Sequence, residues 1–270
     1  MRKMNLEVLS QQPLQELSNN PVLLVHGAWH GAWCWKVHFA DYLAQQGFQV
    51  HAISLRGHGN SEGRRRLRWT GLADYVDDVA QVARQLSAPP IVIGHSMGGL
   101  VVQKYLQTHC APAGVLMASI PPMGVLLTAL RLVRRHPWLM AKVNATWSLY
   151  PLISSPELAK ELLFPNEMPV AQVELFWQQM QDESYRCFAE MLGLGLPKPE
   201  KVNTPLLILG GGADTLISPD QVKATARAYG TQAIILPNIA HDMMLEPGWQ
   251  TVADAIVSWL RTNSSDCSEF

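Results

Sequence analysis

Short apolar runs alternate with segments of helical period along most of this chain, and such alternation restricts the fold to a parallel sheet covered on both faces. Residues 21–26 (PVLLVH), 49–55, 90–94, 114–119, 205–209 and 232–236 read as buried strands. Between them, 37–46, 73–86, 97–108, 219–229 and 248–261 read as helices. The 73–86 segment places Val76, Val79, Ala80 and Ala83 on one face, and Asp74, Asp77 and Asp78 suit the positive end of its dipole. Gly47 supplies a left-handed cap to the helix before it. The alternation stops at 121–200, where Pro137, Pro151, Pro156, Pro165 and Pro169 punctuate helix-like segments. The spacing therefore predicts an α/β core from 1–120 and 201–270, carrying a helical insertion at 121–200 without a linker of its own. Residues 262–270 are expected to fray.

The 270 residues are 48% hydrophobic, and a chain of this size buries roughly three quarters of its unfolded surface without metal or disulfide support. A formal charge of −1 argues against nucleic-acid binding, which needs a basic excess. Cys34, Cys110, Cys187 and Cys267 lie far apart with no CxxC spacing, which suggests neither a disulfide framework nor a zinc site and fits a reducing compartment. The N-terminal twenty residues lack a continuous apolar stretch of signal-peptide type, and apolar runs such as 122–130 fall short of the ~20 residues that span a bilayer. The expectation is a soluble, cytoplasmic protein.

The strongest local signal is Gly94-His95-Ser96-Met97-Gly98-Gly99, placed after a strand and opening a helix. This is a G-x-S-x-G turn, so tight that small residues must flank Ser96, and it lifts Oγ above the strand end with the Met97 N–H facing any oxyanion formed there. A serine hydroxyl needs a base to take its proton. Nine histidines compete for that role, and His241 lies between the last strand and the last helix. Asp214 follows the strand that ends near Gly210 and would orient the imidazole; the order Ser96, Asp214, His241 differs from that of chymotrypsin and subtilisin. Asp220 fits a first helical turn better, and Asp242 adjoins His241 and would point elsewhere. The second oxyanion donor is expected from the loop after the first strong strand, His26-Gly27-Ala28-Trp29-His30-Gly31, with Ala28 supplying its N–H. His26 is expected to bond within that loop. His26 and His30 lack the helix or third ligand of a metal site, so neither metal nor cofactor is expected.

From VLLVHGAW through LRGHGNS, IVIGHSMGG and GGGADTLISP to IAHDMMLEP, the chain resembles the α/β-hydrolase superfamily over nearly its whole length. The resemblance implies an eight-stranded, mostly parallel sheet flanked by helices, with a helical cap after strand 6. It also implies Ser96 as nucleophile, Asp214 as acid and His241 as base. HGAWHGAWCW is similar to the opening of plant methylesterases and hydroxynitrile lyases, whereas LRGHGNS is similar to bacterial esterases, lipases and epoxide hydrolases. Epoxide hydrolases and dehalogenases carry Asp where Ser96 stands, and the plant lyases carry Lys where Asp242 stands, so both chemistries are disfavoured.

Trp29, Trp138, Trp147, Trp177 and Met243 are candidates for an apolar pocket around the serine, although Trp and Met also serve as core residues. Arg131, Arg134 and Arg135 among leucines allow contact with lipid head groups, but a solvated helix face is the favoured reading. The Arg64–Arg66 run reads as a solvated loop, and the nearby Arg56-Gly57-His58-Gly59 as loop scaffolding. The sequence thus predicts a cofactor-independent serine esterase acting on small-molecule carboxylic esters with apolar acyl or alcohol groups. Lipase, monoacylglycerol or lysophospholipid hydrolase, perhydrolase, acyltransferase, C–C hydrolase and lyase chemistry remain open on the same triad, as does a non-catalytic ligand-binding protein on the same fold.

Overall fold

The computed structural model describes residues 3–263. Strand β1 (Val8–Gln11) leads to β2 (Val22–Val25), then helices α1 (Trp33–Lys36) and α2 (Phe39–Gln45), and β3 (Val50–Ile53). Helix α3 (Leu72–Ala83), β4 (Ile91–His95), α4 (Met97–Tyr105) and β5 (Gly114–Met117) follow. Five helices come next: α5 (Leu126–Arg135), α6 (Pro137–Thr146), α7 (Pro156–Leu163), α8 (Val170–Trp177) and α9 (Tyr185–Met191). The chain closes with β6 (Leu206–Gly211), α10 (Pro219–Ala228), β7 (Ala233–Leu236) and α11 (Trp249–Asn263).

The strands form one seven-stranded sheet in the order β1-β3-β2-β4-β5-β6-β7. Among the described residues only β1 runs antiparallel, pairing Val8 with Ile53. The strand order steps outward in both directions from β2, so helices cover both faces and β2, β4, β5 and β6 are buried along their whole length. This is an α/β-hydrolase fold with two differences from expectation. The sheet has seven strands among the described residues, not eight, and the helical insertion follows the fifth strand, not the sixth. Residues 12–21 contain Pro13 and Pro21, which lack an amide hydrogen, and run from β1 to β2 without forming a strand. Strand β1 itself carried no apolar signal: it is an edge strand, with Ser10 and Gln11 exposed, and is held by backbone pairing to β3.

Two polar clusters, the first partly and the second wholly buried, fix the loops beside the sheet. Arg56 donates from Nε and Nη2 to Asp78 Oδ1 at 2.9 and 2.7 Å, and its own N–H bonds Asp78 Oδ2 at 2.8 Å, so the Arg56–Gly59 turn is pinned to α3. Glu183, between α8 and α9, pairs with His58 at 3.0 Å and accepts from the Tyr75 hydroxyl at 2.7 Å. All three residues of the second cluster are buried, so the helical segment is tied to the core through hydrogen-bonding groups withheld from water. Cys34 and Cys187 are buried free thiols. Cys110 is disulfide-bonded, contrary to the expectation from cysteine spacing, which carries no information about distant pairing; Cys267 lies outside the described residues. No helix among the described residues is long and apolar enough to cross a membrane.

Candidate active site

Because β4, β6 and β7 are parallel, the loops that leave their C-terminal ends converge on one edge of the sheet. Ser96 follows β4 directly with φ 51° and ψ −116°, a conformation unfavourable for a residue bearing a Cβ. Its neighbours explain how the turn is accommodated. A Cβ on Gly94 would lie 2.5 Å from the Gly98 carbonyl oxygen, and one on Gly98 would lie 2.4 Å from the carbonyl oxygens of both Val25 and His26. Backbone on both sides leaves no room to relax. Gly98→Ala is therefore expected to cost about 3 kcal/mol or more of stability, the scale of an overpacked core site, measurable as a lower urea midpoint. An unchanged midpoint would show that the elbow can open.

The structure brings together the three residues that the sequence order singled out. Ser96 Oγ lies 2.9 Å from His241 Nε2, and His241 Nδ1 lies 2.8 Å from Asp214 Oδ2. Asp214 Oδ1 accepts the Leu216 and Ile217 amides at 2.8 and 2.9 Å, so the carboxylate cannot rotate away. His241 and Asp214 are buried, and Ser96 is only 9% exposed. Burial disfavours the imidazolium, but the Asp214 charge and hydrogen bond, with the Asp242 charge, outweigh it and raise the His241 pKa above its ordinary value. Such a relay can take a proton from the serine and hold the resulting imidazolium.

Ala28 lies in the loop after β2, and that loop packs against the elbow: a Cβ on Gly27 would stand 3.0 Å from Ser96 Cβ. Met97 opens α4, so its N–H has no carbonyl partner inside the helix. No described residue accepts a hydrogen bond from the Ala28 or Met97 amide. His26 does bond within its loop: Nδ1 donates to the Gly27 carbonyl at 2.7 Å, while Nε2 accepts the Leu55 amide at 3.0 Å.

The sequence from 22 to 255 matches the profile of the alpha/beta hydrolase family. The chain belongs to that family. A monoacylglycerol lipase of Mycolicibacterium smegmatis is 25% identical over 255 residues, covering 88% of this chain and 87% of the relative. Methyl jasmonate esterase 1 of Vitis vinifera is 37% identical over a shorter stretch, 30% of this chain and 31% of that one. Among solved structures, a monoacylglycerol lipase from Paleococcus ferrophilus superimposes with a TM-score of 0.71 over 97% of this chain and all of its own, at 22% identity, a likeness of fold.

In this alpha/beta hydrolase the helical segment contacts the loops that carry the site. The Gln181 amide bonds the Trp29 carbonyl at 3.0 Å, the Asp242 amide bonds the Leu163 carbonyl at 2.9 Å, and Thr128 Oγ1 donates to the Leu216 carbonyl at 2.8 Å. None of these contacts was legible in the sequence, since a backbone acceptor leaves no compositional mark. The candidate pocket residues fall in different surroundings. Trp29 is buried with φ 67°, and Met243 is fully buried. Trp177 is half-buried, with its indole N–H on the Ile153 carbonyl at 2.7 Å. Trp147, 45% exposed, packs between Trp69 and Tyr185, and Trp138 is 72% exposed. A separate surface cleft of about 1350 Å³, lined by Arg64, Arg65, Arg66 and Arg186 with Asp74 and Asp77, includes none of Ser96, Asp214 and His241.

Glu246, which the sequence reading passed over, is buried and accepts the Ala240 amide at 2.9 Å. Burial first, then the charges of Asp242 and Asp214, push its pKa up to about 7 from an ordinary 4.5. The folded state thus holds a proton that the unfolded chain releases, and the resulting penalty is absent below pH 4.5, grows up to about pH 7 and is constant above. Glu246→Gln keeps the acceptor and removes the charge, so it is expected to add about 3 kcal/mol at pH 8 and nothing near pH 4. Thermal melts of both proteins across that range check the prediction, and an equal shift at both ends would contradict it.

Proposed function

We propose that this alpha/beta hydrolase cleaves carboxylic esters through an acyl-enzyme formed on Ser96. The observation that carries the reading is the continuous relay from Ser96 Oγ through His241 to Asp214, at 2.9 and 2.8 Å. Ser96 Oγ attacks the ester carbonyl while His241 Nε2 takes its proton. Asp214 holds the imidazole so that Nδ1 bears hydrogen and Nε2 a lone pair. The Ala28 and Met97 amides receive the oxyanion, each worth about 3–4 kcal/mol in sites of this kind. His241 then protonates the departing alkoxide oxygen, and the C–O bond breaks. Water attacks the acyl carbonyl with His241 again as base, releasing the acid and restoring Ser96.

Residues 1–120 and 201–270 form the hydrolase core in this reading, and 121–200 act as a cap over the serine. The hydrogen bonds that Gln181 and Thr128 donate to the site loops, and the one that the Leu163 carbonyl accepts from Asp242, support that role. An apolar acyl or alcohol group suits a serine that is itself almost wholly buried and whose flanking segments carry the buried apolar residues Met97, Met243 and Trp29. The covering relative named as a monoacylglycerol lipase and the shorter match named as a methyl jasmonate esterase agree with an ester substrate. A fluorophosphonate probe followed by peptide mapping tests the reading. The expected adduct lies on Ser96 and vanishes in His241→Ala, and p-nitrophenyl esters of rising chain length then define the acyl preference. Folded protein that neither labels on Ser96 nor turns over any ester would overturn the proposal.

A further inference from the structure

Beside the relay lies a second carboxylate–histidine pair, formed by Asp242 and His30. Asp242 follows His241 in the chain, is fully buried, and has no hydrogen bond to either carboxylate oxygen among the described residues. Its nearest cationic candidate is His30, whose Nε2 stands 3.1 Å from Asp242 Oδ2, an ion-pair approach bent away from a linear hydrogen bond. The other ring nitrogen of His30, Nδ1, lies 2.7 Å from the Ala28 carbonyl oxygen. Both nitrogens therefore face oxygen acceptors. A neutral imidazole has hydrogen on only one of them and would turn a lone pair toward one of these oxygens.

We infer that His30 is held as an imidazolium by Asp242 and acts as a positioning residue that clamps the Ala28 carbonyl, locking the loop whose Ala28 amide receives the oxyanion. The inference rests on the hydrolase reading for its catalytic meaning but not for the charge state. His95 is excluded as the counter-charge: its Nε2 is 3.9 Å from Asp242 Oδ1 and is used on the His241 carbonyl at 2.9 Å, and burial with the neighbouring His241 pushes its pKa down to about 3. The other titratable groups facing the pair are His241, His26, which burial and the neighbouring His58 hold well below the ordinary histidine range, Glu246, whose pKa burial and the Asp242 charge raise, and the Cys34 thiol, which burial and the Asp242 charge push further from ionisation. The Trp33 ring is stacked 5.3 Å from His30, and an aromatic face favours the cationic form. Opposed effects act on the pair: burial disfavours both charges, yet mutual attraction moves His30 upward and Asp242 downward from their ordinary values.

The clamp accounts for the strain in the loop. Trp29 occupies φ 67°, and such a residue persists only when its surroundings over-determine it. The Ala28 carbonyl is held by His30, the Gly27 carbonyl by His26, and the Trp29 carbonyl by the Gln181 amide. The Gly27 carbonyl shares its peptide with the Ala28 N–H, so His26 pins the donor itself and His30 the next plane. Asp242 links this loop to the one bearing the base.

The test uses the whole protein labelled with 15N-histidine, with His30 assigned from its missing signals in His30→Gln. The expected result near pH 8, where free histidine is neutral, is hydrogen on both ring nitrogens of His30. Asp242→Asn should remove one of these hydrogens while lowering kcat about tenfold on the pH plateau and leaving KM within about twofold, as for loss of oxyanion alignment. A bare ring nitrogen on His30 in the wild type overturns the inference, whether or not Asp242→Asn folds. So does an Asp242→Asn protein that folds with unchanged kcat. Failure of Ser96 to label while His30 carries two hydrogens would instead sink the hydrolase reading and leave the ion pair standing.

Discussion

Ser96→Ala is expected to lower ester kcat by about 10⁶-fold, the order lost when the nucleophile of such a relay is removed. The change deletes one oxygen and one hydrogen bond, to His241 Nε2, from a residue that is 9% exposed. Alanine carries the same Cβ at φ 51°, so the strain of the elbow is neither relieved nor increased. The fold should therefore persist, and comparison of thermal melts separates lost chemistry from lost structure. Residual turnover would come from binding and the Ala28 and Met97 amides alone. His241→Ala should give a loss of similar size, and the double variant little more, because the two act as a unit. Ester turnover by Ser96→Ala at the wild-type rate would place the chemistry elsewhere.

Asp214→Asn should lower kcat by about 10⁴-fold with the fold retained. The reason lies in which atom meets which. Oδ1 of Asp214 accepts two amides, from Leu216 and Ile217, and an asparagine must keep its oxygen there. Its NH₂ then faces His241 Nδ1, which must become an acceptor, so the ring hydrogen moves to Nε2 and points at Ser96. That tautomer cannot take the serine proton. The pH profile supplies a second readout. The wild-type imidazole has a raised pKa: burial alone would lower it, but the Asp214 charge and bond outweigh burial. Turnover needs the neutral base, so the wild-type acid limb of kcat/KM should lie above pH 6.5. Removing the Asp214 charge should move that limb to lower pH while dropping the plateau. An acid limb unmoved in Asp214→Asn would mean that another group sets it.

Much of the architecture is legible in local pattern. The β2 run VLLV and the β4 run IVIGH are apolar without alternation because both faces of the sheet are covered, and that is visible in composition. The elbow is legible because glycines at 94 and 98 are demanded by contacts with adjacent backbone. The edge strand β1 is not, since half of its side chains face water and its pairing is carried by backbone atoms common to all residues. The strand count and the position of the insertion shifted by one for a related reason: the resemblance carried an expected number of strands, while Pro13 and Pro21 flank a stretch of this chain that forms none.

The candidate site divides in the same way. Sequence order and spacing singled out Ser96, Asp214 and His241 from their places after strands, because parallel strands deliver their C-terminal ends to one edge. His30 offered only a loop position, and Asp242 only a neighbour to avoid. Their pairing at 3.1 Å joins positions more than two hundred residues apart, and no periodicity links them. By itself the sequence determined the alternating framework and the sharp turn at Ser96, since both follow from short-range sterics and the burial of consecutive apolar side chains. Tertiary structure alone decided which buried charges face each other and which carbonyls each histidine grips, because those contacts depend on where packing of the sheet brings distant loops.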